Sequence, residues 1–182
     1  NLKTVSIPLP LREPEDIVTA LVNHCSPATR LLVVSHITSP TAIVFPIAEI
    51  CEAFKALNVP VCVDGPHAIL QERFKLHTLG CDFYTASCHK WLCAPLGSGF
   101  VYAAPQWHDS FQPARLSWGR IQPATPEHWS DELLWTGTRD YSAFLSIPYA
   151  LEFFEQFDLD RLEIRNHALA RYARTRLLEI PG

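Results

Sequence analysis

The sequence predicts an α/β fold: a mostly parallel, mixed sheet with helices on both faces, in a three-layer α/β/α arrangement. Two observations predict it. Apolar runs of strand length recur at Leu31–Ser35, Val61–Val63, Asp82–Ala86 and Gly99–Tyr102. Between the first two lies Pro46–Leu57, whose apolar residues repeat at helical spacing. Strand, helix and strand with short connections is the grammar of a sheet covered by helices. At 182 residues, 48% apolar and 19% charged, the chain suffices for one globular domain with its own core. No repeat, low-complexity tract or linker divides it, so residues 1–182 read as a single domain.

Taken in order, Thr4–Leu9 alternates apolar and polar residues as a half-buried strand does. Glu13–Val22 has helical spacing, with Pro14 suited to a first turn. Leu31–Ser35 is continuous (L-L-V-V-S), the sign of a strand buried on both faces. Pro46–Leu57 puts Ile47, Ile50, Ala53, Phe54 and Leu57 on one helical face. Val61–Val63 is a second buried strand, closed by Asp64-Gly65-Pro66; Asp82–Ala86 and Gly99–Tyr102 follow. From Ala104 to Trp135 the pattern weakens. Pro105, Pro113, Pro123 and Pro126, with Trp107, Trp118 and Trp129, predict an ordered but irregular segment over the site or at a subunit contact. Tyr141–Phe157 and Leu159–Leu178 return to helical spacing.

Composition narrows the function classes. A net charge of −4 without a block of like charge argues against a nucleic-acid partner. No apolar stretch approaches the ~18 residues of a membrane span, and the opening residues lack a signal peptide's layout. The six cysteines sit without paired spacing and read as free thiols of a reducing cytosol, so a cytoplasmic location is expected. Eight histidines accompany them, yet no C-x-x-C or H-x-x-x-H pair exists, so no metal site is assigned. Methionine is absent, position 1 included, and the chain is expected to be an internal piece of a longer protein.

In a sheet of this kind ligands gather at the carboxyl ends of the strands. The polar residues there are Ser35-His36, Asp64 and Ser87 to Lys90. Lys90, in S-C-H-K-W, reads either as a strand-end lysine in water or as a nucleophile. A nucleophilic lysine must be neutral, which the apolar run W-L-C-A-P-L behind it favours by enclosure. Asp64 reads either as a cap for the next helix or as a carboxylate that keeps a cofactor's ring nitrogen protonated. Between Asp64 and Lys90 there is room for one helical crossover and one strand, which would bring both to neighbouring strand ends. His36 either supports the site indirectly or is a satisfied strand-end histidine. Arg139 could hold a substrate carboxylate, although an ion pair with Asp140 or with a neighbouring helix is the plainer role.

Four ordered segments carry a resemblance over nearly the whole chain: V-D-G-P-H-A (63–68), S-C-H-K-W-L-C-A-P-L-G-S-G-F (87–100), V-S-H-I-T-S-P-T-A (34–42) and W-T-G-T-R-D-Y-S-A-F-L (135–145). Together they resemble the class V aminotransferase family of enzymes that use pyridoxal 5'-phosphate (PLP, fold type I), in its isopenicillin N epimerase-like branch. The resemblance implies that Lys90 holds PLP as a Schiff base and shuttles the substrate's Cα proton, while Asp64 pairs with the pyridine nitrogen. His67 would meet the ring's phenolic oxygen, with Ser39 or Thr38 nearby. Ser87 and His89 would bind the phosphate, and Thr138 would reach the phosphate held by the other subunit of a homodimer. A persulfide role for Cys93 is disfavoured, because the family's desulfurases carry that cysteine on a later loop. The chain would then be most of the PLP-binding large domain, without the family's N-terminal part or its C-terminal small domain. Pro66 stands where alanine is more usual.

The implied substrate is a small-molecule amino acid. Reprotonation on the opposite face gives epimerisation, reprotonation at the cofactor carbon gives transamination, and loss of a β-substituent gives a C–S lyase or desulfurase. Epimerase or aminotransferase chemistry is the leading expectation and C–S cleavage the alternative. A PLP-free binding module and a metal-dependent α/β enzyme are the competing classes; the first sits badly with Lys90 and Asp64 together, the second with the ligand spacing.

Overall fold

The computed structural model describes residues 1–114, 127–134 and 137–181. Its elements are α1 (Glu15–Asn23), β1 (Leu32–Ser35), α2 (Ile47–Ala56), β2 (Val61–Asp64), α3 (Leu76–Leu79), β3 (Phe83–Ser87) and β4 (Gly99–Ala103). A 3₁₀ turn (Pro105–Ser110) follows, then α4 (Asp131–Leu134), α5 (Ser142–Leu145), α6 (Ile147–Glu155) and α7 (Leu159–Leu178). The sheet runs β1-β2-β3-β4, with β1, β2 and β3 parallel and β4 antiparallel to β3. This is the mixed, mostly parallel α/β sheet that the sequence predicts. Ser35 pairs with Asp64 and Asp64 with Thr85, so the polar ends of three strands lie side by side.

Period-two alternation decides which face is buried. Val34, Val61, Val63, Tyr84 and Ala86 share one face and pack against Ile17 and Leu21 of α1 and Ile47, Ile50, Cys51 and Phe54 of α2. Each large side chain buried there stabilises the fold by roughly 1.5–3 kcal/mol. On α2 the buried stripe runs through Cys51, while Leu57 stays exposed because the helix has ended and Asn58 turns the chain at φ 54°.

Four sequence expectations need correction. Thr4–Leu9 is not a strand. Val5 and Ile7 pack against the core, but the segment pairs with no ladder, and alternation alone is satisfied by any extended chain lying on a core. Nor is β1 buried on both faces: Val33 is 64% exposed, because α1 and α2 pack on the opposite face and, among the described residues, no element covers it on this one. The helix expected over Tyr141–Phe157 is two helices broken at Ser146. Pro148 lacks the N–H that a continuous helix needs and its ring would meet the Phe144 carbonyl, so it suits the first turn of a new helix. Finally, the described part of Ala104–Trp135 does not cover the strand ends. Trp107 donates to Asp82 (2.7 Å), and Trp107 and Phe111 lie on Phe83 (5.4 and 5.8 Å), at the opposite end of β3. Trp118 and Trp135 lie outside the described residues.

The last helices attach by separate contacts. Ile147, Ala150 and Phe154 of α6 pack on Cys88, Leu92 and Ala94, just beyond β3. Asp158 caps α7 by accepting from Arg161 N–H (3.1 Å), and Arg73 pairs with Asp160 and Glu163 at the same end. No helix among the described residues is long and apolar enough to cross a membrane.

Candidate active site

The site is assembled by two turns at neighbouring strand ends. After β2 the chain passes through Gly65, whose N–H donates to the Thr85 carbonyl (2.8 Å), while Ala68 N–H donates back to Gly65 O (3.1 Å). This hangs the 64–68 turn on β3. Glycine is required here, because a Cβ at position 65 would lie 1.9 Å from the Tyr84 hydroxyl. Gly65→Ala is therefore expected to cost about 3 kcal/mol, measured by denaturant unfolding, because fully buried Tyr84 cannot move aside without disturbing the core.

The second turn follows β3. It brings Lys90 Nζ to 3.0 Å from His67 Nε2, and Trp91 Nε1–H donates to His67 Nδ1 at 3.3 Å. The rings of His67 and Trp91 meet edge-on, their centroids 6.3 Å apart. Asp64 is exposed at the end of β2, on the same side of the sheet as Thr85 and Ser87. His89, partly buried, carries a buried Nδ1 that has no hydrogen-bond partner among the described residues. Buried polar atoms are rarely left so.

Lys90, His67, Ser87, His89 and Asp64 thus come from two adjoining strand ends, as the sequence predicts. The apolar enclosure of Lys90 does not: Lys90, Trp91 and Leu96 are exposed, because Leu92 and Ala94 turn inward toward α6 instead. In the turn after β1, the Thr38 hydroxyl accepts from Ile43 N–H (2.9 Å) and meets the Thr41 hydroxyl (2.6 Å), whereas Ser39 is exposed. Thr138 is exposed ahead of α5, and no hydrogen bond among the described residues joins it to the Lys90 group. Arg139 lies over the rings of Tyr141 and Phe144 (4.9 and 5.1 Å). Asp140 accepts from Ser142 N–H (2.8 Å), which holds its carboxyl below the usual range. A cleft of about 290 Å³ between Ile69–Leu76 and the start of α7 takes no lining from Lys90, His67 or Asp64. No group of three His, Cys, Asp or Glu among the described residues is placed to hold a metal ion.

His36 is a satisfied buried histidine. Its Nδ1 lies 2.9 Å from the Tyr84 hydroxyl, and its backbone N–H donates to the Asp64 carbonyl (2.9 Å). Burial pushes its pKa down from 6.5 to about 4. Between those values the unfolded chain binds the extra proton, so this contribution to stability is complete above pH 6.5 and lost as pH falls toward 4. Unfolding free energy should drop by on the order of 2 kcal/mol across that window. A His36→Gln variant should flatten the drop. Sequence reasoning missed both Trp91 and Tyr84 as members of this assembly; a tyrosine at an inward position of the β3 run was the available signal.

The fold matches solved structures. A mutant of C-DES with glycine covalently linked to its PLP cofactor superposes at a TM-score of 0.80, covering 90% of this chain and 45% of that one at 23% identity. The fold is that of fold type I PLP-dependent enzymes. The profile of the aminotransferase class-V family matches residues 7–182, and the chain belongs to that family. It is 33% identical to an isopenicillin N epimerase of Streptomyces clavuligerus over 193 aligned residues, covering 100% of this chain and 48% of the relative. It is also 34% identical over 141 residues to a probable chloroplastic L-cysteine desulfhydrase of Arabidopsis thaliana, covering 76% of this chain and 29% of that protein. The chain spans about half the length of the epimerase.

Proposed function

We propose that residues 1–182 are most of the PLP-binding large domain of an enzyme acting at the α-carbon of an amino acid, with isopenicillin N epimerase-like (epimerase or aminotransferase) chemistry. The observation that carries this reading is the approach of Lys90 Nζ to His67 Nε2, beside Asp64 on the adjoining strand end. Family membership and the similarity of this whole chain to about half of an epimerase support it. The donor set fits the cofactor: an amine, a carboxylate on the same side of the sheet as Ser87, and a buried His89 nitrogen that has no hydrogen-bond partner among the described residues and suits a phosphate oxygen.

When bound, PLP supplies a protonated ring that draws electron density from the substrate's α-carbon. Lys90 is the amine that holds the cofactor and then moves the Cα proton. Asp64 keeps the ring nitrogen's proton in place. Ser87 and His89 hold the phosphate, and Thr138 of a second copy completes that pocket, making the active site a property of a homodimer. His67 and Ser39 attend the phenolic oxygen; Ser39 is preferred to Thr38 because the Thr38 hydroxyl is already engaged. A cytoplasmic setting suits six free thiols, of which Cys51 and Cys81 are pushed up by burial to about 12 and about 11.

A second reading, cleavage of a cysteine C–S bond, is favoured by the similarity to a probable desulfhydrase. The test is exchange of the Cα proton in heavy water by the full-length protein. Products are assayed as racemised amino acid, keto acid and sulfide. Exchange with racemisation supports the epimerase reading, keto acid without sulfide the aminotransferase, and sulfide the second reading; no exchange with any amino acid would refute all three.

A further inference from the structure

We propose that Trp91 is a positioning residue that fixes the tautomer of His67, so that Nε2 always presents a proton toward the cofactor's phenolic oxygen. The inference rests on the proposed PLP reading and adds a device that the reading does not require.

Hydrogen-bond stoichiometry carries it. An indole N–H only donates, whereas a neutral imidazole has one donor and one acceptor nitrogen. Trp91 Nε1 lies 3.3 Å from His67 Nδ1, and when the indole donates, Nδ1 is the accepting, unprotonated nitrogen. The proton is then on Nε2. That atom is 3.0 Å from Lys90 Nζ: a neutral amine accepts from it, whereas an ammonium only donates and competes with Trp91 for the ring. The same N–H is thus held as a donor beside the amine, where an electron-rich oxygen of a bound cofactor is the matching acceptor. Position 66 is proline, which fixes one backbone dihedral immediately before His67. Trp91 is 46% exposed and lies outside the two core clusters; its side chain meets His67 through both the ring edge and the N–H.

The test combines nuclear magnetic resonance of the cofactor-free protein with PLP titration of the full-length protein. With ¹⁵N-labelled histidine, His67 should carry its proton on Nε2 alone, and Trp91→Phe should yield a mixture of tautomers. Trp91→Phe should also lower PLP affinity about tenfold and move the pH midpoint of the bound cofactor's visible band. Glutamine has an amide donor and no tautomer to set. In a His67→Gln background, adding Trp91→Phe should therefore change neither affinity nor midpoint. An equal loss in both backgrounds would make Trp91 a packing residue and overturn the inference, as would a mixed tautomer in the unmodified protein. Failure of the unmodified protein to bind PLP would instead sink the reading of the site and this inference with it.

Discussion

Lys90→Ala is expected to lower turnover by ~10⁴-fold while leaving the fold intact. The two consequences separate because of where the side chain sits. Lys90 is exposed beyond the end of β3, and its recorded side-chain contact is with His67, so its loss opens no cavity. The core beneath it is made of Tyr84, Ala86 and Cys88, none of which it touches by hydrogen bond. Circular dichroism and the unfolding midpoint should match the unmodified protein. Some PLP should still bind non-covalently through Asp64 and the phosphate-facing residues, without the visible band of the lysine adduct. Substantial turnover in this variant would remove Lys90 from its assigned role.

Asp64→Ala is expected to weaken PLP binding by ~10–100-fold, the equivalent of one charge-assisted hydrogen bond of about 1.5–3 kcal/mol, and to slow removal of the Cα proton. The carboxylate is exposed on the open side of the sheet, so the change does not disturb packing. The Asp64 backbone, which accepts from His36 N–H, is retained in the variant. Asp64→Asn keeps the shape and loses the charge. If the proton-holding role is right, asparagine should behave like alanine in rate, measured by Cα exchange under saturating PLP. Normal rates in either variant would refute the role.

Much of this arrangement was legible in the sequence because parallel strands advertise themselves. L-V-V-S, V-C-V-D and F-Y-T-A-S are short apolar runs that end in polar residues, and parallel pairing turns those ends into neighbours. The lysine and aspartate therefore follow adjoining strand ends that the sequence itself marks. The contacts that shape the site were not legible in the same way. Tyr84 under Gly65, His36 against Tyr84 and Trp91 on His67 are cross-strand or cross-turn contacts, and no periodicity encodes them. The expected enclosure of Lys90 failed for a related reason. Hydrophobicity says that W-L-C-A-P-L contains core residues, but only the turn decides that Leu92 and Ala94 go in while Trp91 and Leu96 stay out. The alternation of Thr4–Leu9 identified the inward side chains Val5 and Ile7 correctly and the hydrogen-bond state wrongly.

The most direct measurement is chemical. The full-length protein is loaded with PLP, reduced with borohydride, digested and mapped by mass spectrometry. A pyridoxyl group on Lys90, and its disappearance from the map in Lys90→Ala, is the predicted result. A label on Lys3, Lys55 or Lys75 in its place, or no label at all, would contradict the assignment of Lys90 and with it the site built at these two strand ends.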